Sequence, residues 1–442
     1  MSSATSSIPT LPPARLETEL DDKKPLYKHA EAIAEANRCI YCVDAPCVQA
    51  CPTSIDIPTF IHKIATDNVK GAARTIFHDN LLGYSCARVC PVEVLCAGSC
   101  VYNHWGREPI QIGRLQRYAT EMAIGKDVDL LKRTKKPATG KKIVCIGAGP
   151  ASMAVAGHLA LDGHSVTILE KRAYPGGLNT TGVAPYKLHA DDALEEVEMI
   201  LGLGDIEVQT GVEVSEADAQ RLLSEYDAVF IGIGLGADSM VGLEGDGVVG
   251  ATAFIERLKL DGGMKLDGVE RALVVGGGNT AIDVARELAQ LGVSDVAMVY
   301  RRGEDDMSGY VHEMEGARKD GVRLIEHRQP LRAALVNGKV AGLEVVRTDA
   351  SGKPVEGSAP EVIAADLIAV ATGQARLTSL AAAFGGVELD DRGRVIVDVA
   401  TCRTGNPKVY AGGDCVNGGK EVVNAAQHGK LAARAITASF AR

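Results

Sequence analysis

The chain has 442 residues, 46% hydrophobic but only 4% aromatic, with 49 glycines and a formal charge of −10. This balance suits an α/β protein of two or three domains, and the acidic surface excludes non-specific nucleic-acid binding, which needs basic groups to displace counterions. No apolar run is long enough to span a bilayer and no basic stretch leads into an apolar core, so a cytoplasmic, reducing setting without membrane attachment is expected.

Residues 1–26, with Pro9, Pro12 and Pro13, carry little apolar surface and are expected to form a mobile N-terminal arm. From Tyr27 to Arg38 the spacing of Ala30, Ile33 and Ala34 predicts a helix that delivers Cys39. Eight of the eleven cysteines then fall in two blocks of four: Cys39, Cys42, Cys47 and Cys51, then Cys86, Cys90, Cys96 and Cys100. The first block reads C-x2-C-x4-C-x3-C-P, and Cys90 is also followed by proline. Short, unequal spacers with Cys-Pro steps point to iron–sulfur ligation, and eight sulfurs suffice for two four-iron clusters. A disulfide framework belongs to short secreted domains and zinc to more regular pairs, so both are set aside. Between the blocks, residues 57–80 show helical apolar spacing interrupted near Gly71. Residues 27–136 are thus expected to form an α-helical iron–sulfur domain, followed by a basic linker from Lys132 to Lys142.

Lys142 to Ile146 reads as a buried strand entering Gly147-Ala148-Gly149-Pro150-Ala151-Ser152 and a helix. A second strand, Val166 to Glu170, ends in an acid beside Lys171. This is the dinucleotide fingerprint in context: glycines admit the pyrophosphate, the helix start favours its charge, and Glu170 suits ribose hydroxyls. The arrangement repeats at Gly276-Gly277-Gly278-Asn279-Thr280, where the strand Val296 to Tyr300 ends in Arg301-Arg302. An acid at the strand tip fits a free ribose and paired guanidiniums fit a 2′-phosphate, so two nucleotides are implied, the second leaning to NADPH. The strand Leu367 to Thr372 brings Ala371 and Gly373 to this second site. Near the end, Gly413-Asp414 precedes a helix from about Val422, placing an aspartate and a helix dipole to face a flavin.

These cysteine blocks, together with Ile112-Gly-Arg-Leu-Gln116, Gly147 to Ser152, Gly176-Gly177-Leu178 and Gly413-Asp414, resemble the pyridine-nucleotide-oxidising half of dihydropyrimidine dehydrogenase. In bacteria that half is a separate PreT-type subunit beside a catalytic PreA subunit, and the small subunit of glutamate synthase is a more distant relative of the same plan. The resemblance implies a fold of two Rossmann-like domains behind a helical double [4Fe-4S] domain. FAD would occupy residues 141–245 with 374–442, and NAD(P)H residues 246–373 inserted between them. It implies one cluster on Cys39, Cys42, Cys47 and Cys100, and another on Cys51, Cys90, Cys96 and the amide oxygen of Gln116. Cys86 would then be no ligand, against the eighth place that counting gives it. Lys187 would face the flavin. Ser308 stands where animal enzymes have a further basic residue, which weakens NADPH preference against NADH. The implied activity is oxidation of NAD(P)H by hydride transfer to FAD, with electrons passed through the clusters to an FMN and iron–sulfur partner in a hetero-oligomer, where uracil or thymine is reduced. No catalytic acid–base residue is expected, and no stretch remains for an FMN-bearing barrel. A glutamate synthase small subunit, a ferredoxin:NAD(P)H reductase and a redox-sensing module are the alternatives.

Overall fold

The computed structural model describes residues 8–124, 130–131 and 135–441. Helices His29–Ala36, Ile57–Ala65, Val69–Asp79, Gly83–Val89 and Ile112–Glu121 build the first unit. Phe60, Ile61, Ile64, Ala72, Ile76, Leu115 and Ala119, almost all at helical spacing, are buried together. The break between the second and third helices falls at residues 66–68, not at Gly71. Asp67 takes a left-handed φ of 59°, Asn68 caps the next helix by accepting from Gly71 N at 3.0 Å, and Gly71 lies in that helix's first turn.

Among the described residues thirteen strands follow: β1 (Lys142–Ile146), β2 (Ser165–Glu170), β3 (Ile206–Thr210), β4 (Ala228–Ile231), β5 (Val248–Gly250), β6 (Arg271–Val275), β7 (Asp295–Val299), β8 (Arg323–Ile325), β9 (Arg328–Val336), β10 (Lys339–Arg347), β11 (Glu361–Ala364), β12 (Leu367–Val370) and β13 (Val409–Ala411). They form two five-stranded sheets, β13-β4-β1-β2-β3 and β5-β12-β6-β7-β8, and a three-stranded sheet, β11-β10-β9. Every pair in the five-stranded sheets is parallel. Parallel strands covered on both faces carry unbroken apolar runs, as in Ile143–Ile146 and Ala228–Ile231, all buried. β13 joins β4 after the whole second sheet has been made, so the first sheet encloses the second in the chain. The two crossings between the sheets pair with each other: Gly236 N donates to Ala375 O and Ser239 N to Gly373 O, each at 2.8 Å.

The expectation of a mobile arm fails over residues 8–26; residues 1–7, and 132–134 of the linker, lie outside the described residues. Leu11 is buried with Ala190 and Leu194, and Leu20 with Ala184 and Tyr186. Arg15 and Glu17 are buried and paired at 2.9 Å, and Glu17 accepts from Ala190 N at 3.0 Å. Proline content is a poor guide here because sparse, spaced leucines find pockets on a surface that already exists, and the segment lies across other domains like a strap.

Candidate functional site: two thiol cavities and two nucleotide mouths

Cys39, Cys42, Cys47 and Cys100 line one cavity with Ile57, Ile61 and Ile110. Cys51, Cys86, Cys90, Cys96 and Gln116 line a second, with Asn80, Leu95 and Val423. Ile57 borders both, so one side chain separates them. The helix Ile57–Ala65 places it there; Asp56 caps that helix by accepting from Thr59 N at 3.1 Å. All eleven cysteines are free. Among the described residues no three His, Cys, Asp or Glu side chains close around a single metal ion. Burial and the neighbouring Cys39 and Cys100 push Cys47 up to about 12. A hydrogen bond to Cys86, then burial, pushes Cys90 well up, and burial with Cys90 and Cys51 pushes Cys96 up. Packed soft donors of this kind stay protonated until a polycation is placed among them, which is the donor set an inorganic iron–sulfur core fits.

In the second cavity five groups compete for four places. Gln116, buried on the helix Ile112–Glu121, donates from Nε2 to the Gly83 carbonyl at 2.7 Å. A carbonyl can only accept, so the amide is oriented and its Oε1 is left for the cavity. Cys86 Sγ accepts from Asn80 Nδ2 at 3.2 Å, and Asn80 Oδ1 from Leu82 N at 3.0 Å. The sequence reading missed Asn80, whose role depends on a turn rather than a motif.

At the first nucleotide mouth, Gly147, Gly149, Pro150, Ala151 and Ser152 form the turn and helix start between β1 and helix Pro150–Leu161. That helix has no side-chain cap, which leaves its first N–H groups for an anion. A Cβ on Gly149 would meet nothing within 4 Å, whereas one on Gly177, at φ +57°, would lie 2.7 Å from Gly149 Cα. The Gly176-Gly177-Leu178 turn therefore presses on the first turn and leaves an open cradle at Gly149, as a bound pyrophosphate requires. Glu170 accepts from Ala148 N at 2.7 Å and Arg172 N at 2.8 Å, one on each oxygen, so it clamps the loop and keeps lone pairs for a ribose. Lys171 is exposed. Ser152 is fully buried with an unpartnered Oγ. Gly413 sits against Ala151, with an added Cβ 3.2 Å from the Ala151 Cβ, so Asp414 enters the same mouth. Burial raises the Asp414 pKa; one of its oxygens accepts from Lys420 N at 3.3 Å. The helix Val422–Phe440 begins here, and Val423, next to Val422, lines the second thiol cavity.

At the second mouth, Gly277, Gly278, Asn279 and Thr280 open the uncapped helix Asn279–Gln290. Asn279 Oδ1 accepts from Tyr310 N at 2.8 Å. Ala371 borders the turn, its carbonyl 2.5 Å from where a Cβ on Gly276 would stand, and Gly373 follows at φ +109°. Arg301 is exposed and makes no ion pair among the described residues. Arg302 donates to Tyr300 Oη at 2.7 Å and lies 3.9 Å from Asp306. Lys187 Nζ is held by Asp283 at 2.7 Å and Glu313 at 3.1 Å, both from the second nucleotide unit. Tyr186 donates to the same Asp283 at 2.6 Å. The local sequence around Lys187 holds no sign of acids that lie about a hundred residues away.

Helical thiol cavities in front of two dinucleotide folds define the class: a flavin- and pyridine-nucleotide-dependent iron–sulfur oxidoreductase. Residues 141–429 match the pyridine nucleotide-disulphide oxidoreductase family, to which the chain belongs, and residues 16–128 match dihydropyrimidine dehydrogenase domain II, 4Fe-4S cluster. It is 34% identical over 441 residues to the glutamate synthase [NADPH] small chain of Escherichia coli, covering 93% of this chain and 92% of that one. It is 36% identical over 420 residues to the NAD-dependent dihydropyrimidine dehydrogenase subunit PreT of the same organism, covering 94% and 96%. The two relatives are equally near, which corrects the ranking of glutamate synthase as the more distant. Thioredoxin reductase of T. acidophilum shares the fold alone, with 20% identity and a TM-score of 0.55 over 68% of this chain and 100% of that one. 2-Naphthoyl-CoA reductase does so with 18% identity and 0.53 over 88% and 49%. The chain is an NAD(P)H-dependent FAD and iron–sulfur electron-transfer subunit. No helix among the described residues is long and apolar enough to cross a membrane.

Proposed function

We propose that this chain is the electron-input subunit of a dihydropyrimidine dehydrogenase, working in a hetero-oligomer with a PreA-type partner that carries FMN and further clusters and reduces uracil or thymine. Bound FAD would supply hydride acceptance from NAD(P)H, and two [4Fe-4S] clusters would supply single-electron carriage. Cys39, Cys42, Cys47 and Cys100 hold one cluster; Cys51, Cys90, Cys96 and the Gln116 oxygen hold the other, with Cys86 outside. The orientation of the Gln116 amide supports that choice. Gly149 and Gly177 shape the pyrophosphate cradle, Glu170 and Asp414 hold hydroxyls of the cofactor, and Arg301 with Arg302 receives a 2′-phosphate.

One observation carries the reading: Val423, at the start of the helix that opens the flavin mouth, also lines the second thiol cavity, which Ile57 in turn joins to the first. A relay built on these sites would pass the inner cavity before the outer one, whose neighbours Ile40 and Val43 are exposed. The likeness to a glutamate synthase small chain supports a second reading, with delivery to an amidotransferase partner. Purified chain with uracil and NADPH should form no dihydrouracil until a PreA-type subunit is added. Turnover by the chain alone, or delivery only to a glutamate synthase large subunit, overturns the proposal.

A further inference from the structure

Two ammonium groups from opposite ends of the chain converge on the inner cavity. Lys24, in the strap, donates from Nζ to the Cys90 carbonyl at 2.9 Å. Lys430, 6% exposed on the helix Val422–Phe440, donates to Thr53 O at 3.1 Å, two residues past Cys51, and to Asp79 O at 3.0 Å. The two cations differ in their neighbours. Lys430 has the Asp79 carboxylate at 3.6 Å, whereas Lys24 has no carboxylate within ion-pair reach among the described residues. Among the described residues neither cavity is lined by a charged side chain; the two lysines stand behind the inner one, on the carbonyls of Cys90 and Thr53, whereas behind the outer one Arg38, next to Cys39, is paired with Glu35 at 2.8 Å.

Lys24 is also fixed from both sides. Asp22 pairs with Arg117, Arg117 donates to the Lys24 carbonyl, and Arg114 donates to Pro25 O at 3.2 Å. Lys23 N donates to Tyr186 O at 2.8 Å. The strap thus ends in an immobilised cation against a ligand-bearing loop, with Glu93 acting on it only from beyond ion-pair distance.

We propose that Lys24, assisted by Lys430, sets the reduction potential of the inner cluster, making it the easier of the two to reduce. The inference rests on the reading that Cys51, Cys90, Cys96 and Gln116 hold a [4Fe-4S] cluster. Reduction adds one negative charge to that group, and a fixed positive charge in a poorly screened interior stabilises the added charge. The outer cluster, without such a neighbour, sits lower. Lys24 is a positioning residue in this scheme and touches no substrate.

The test is redox potentiometry of the anaerobic holoprotein, followed by the electron paramagnetic resonance of each reduced cluster. In Lys24→Met the ratio of reduced to oxidised inner cluster at a fixed potential should fall about tenfold, a downward shift of about 59 mV for a one-electron couple. Lys24→Arg should keep the wild-type value, and Lys430→Met should shift it less because Asp79 already offsets that charge. The outer cluster should not move. Lys24→Gln keeps an N–H for the Cys90 carbonyl, so it reads the charge alone even where Lys24→Met sheds iron. Unshifted potentials in a Lys24→Gln protein with wild-type iron and sulfide content overturn the role of Lys24. A wild-type protein without the cluster signals overturns the cluster reading beneath it.

Discussion

Replacing Glu313 by glutamine should loosen the second nucleotide unit from the rest of the molecule. Glu313 is buried and holds Lys23 at 2.7 Å, Lys187 at 3.1 Å and Arg286 at 3.2 Å, three cations drawn from the strap, the first nucleotide unit and its own. Burial pushes its carboxyl up, but the ammonium groups of Lys187 and Lys23 outweigh that and hold it down at about 2 from an ordinary 4.5. The difference is about 2.5 pH units; at about 1.36 kcal/mol each, that is ~3 kcal/mol of stability at pH 7. Lys23 has its pKa lowered, by burial first and then by the neighbouring Lys187, against the pull of Glu313. Removing Glu313 leaves Lys187 with Asp283 and Arg286 with Asp320, each at 2.7 Å, but takes from Lys23 its carboxylate beside those two cations, the costly way to break an ion pair. Because the folded value lies below the unfolded one, the contribution is complete above about pH 4.5 and is lost as pH falls toward 2. Urea unfolding of Glu313→Gln at pH 7 should show a loss of ~3 kcal/mol, and Lys23→Met added to it should recover part. A loss below about 1 kcal/mol, or no recovery in the double variant, would refute the reasoning.

Glu196 supplies a pH effect of opposite sign. It accepts from Tyr84 N at 2.8 Å and Ser85 N at 3.1 Å, yet burial outweighs these donors and pushes it up to about 7. The folded chain then holds a proton the unfolded one has lost, so stability should decline as pH rises from about 4.5 through about 7, and Glu196→Gln should flatten that slope in urea titrations at pH 5.5 to 8. Iron analysis separates the ligand sets: Cys39→Ser and Cys96→Ser should each lower iron and sulfide per chain, whereas Cys86→Ser should leave both near wild type; iron loss in Cys86→Ser returns that residue to the cluster in place of Gln116. Arg301→Ala with Arg302→Ala should raise KM for NADPH about tenfold or more and leave KM for NADH within about twofold, since a lost charge-assisted phosphate contact costs about 1.5–3 kcal/mol; equal effects would end the NADPH assignment. Gly177→Ala, which forces a Cβ against Gly149, should yield protein depleted in flavin by absorbance.

Much of this architecture is legible in the chain because parallel strands buried on both faces must be apolar throughout. β1, β6 and β12 announce themselves in that way, and the glycine turns after β1 and β6 mark the two mouths. What stays hidden depends on contacts between distant segments. Spacing counts Cys86 with the other thiols; the resemblance offers Gln116 in its place, and the Gly83 carbonyl orients that amide. The strap looks disordered by composition, since the pockets for Leu11 and Leu20 belong to other domains. The acids that hold Lys187, Asp283 and Glu313, belong to another unit and leave no mark on its local sequence. Gly71 reads as a helix breaker, but the αL residue Asp67 and the cap Asn68 end one helix and start the next before it.

The position of Val423 ties the inner thiol cavity to the folding of the nucleotide domains. Every other described residue of its lining comes from the helical domain, whereas Val423 belongs to the helix Val422–Phe440, which packs on the first sheet's helix far along the chain. An excised helical domain should therefore keep the walls of its outer cavity whole and lose one wall of the inner.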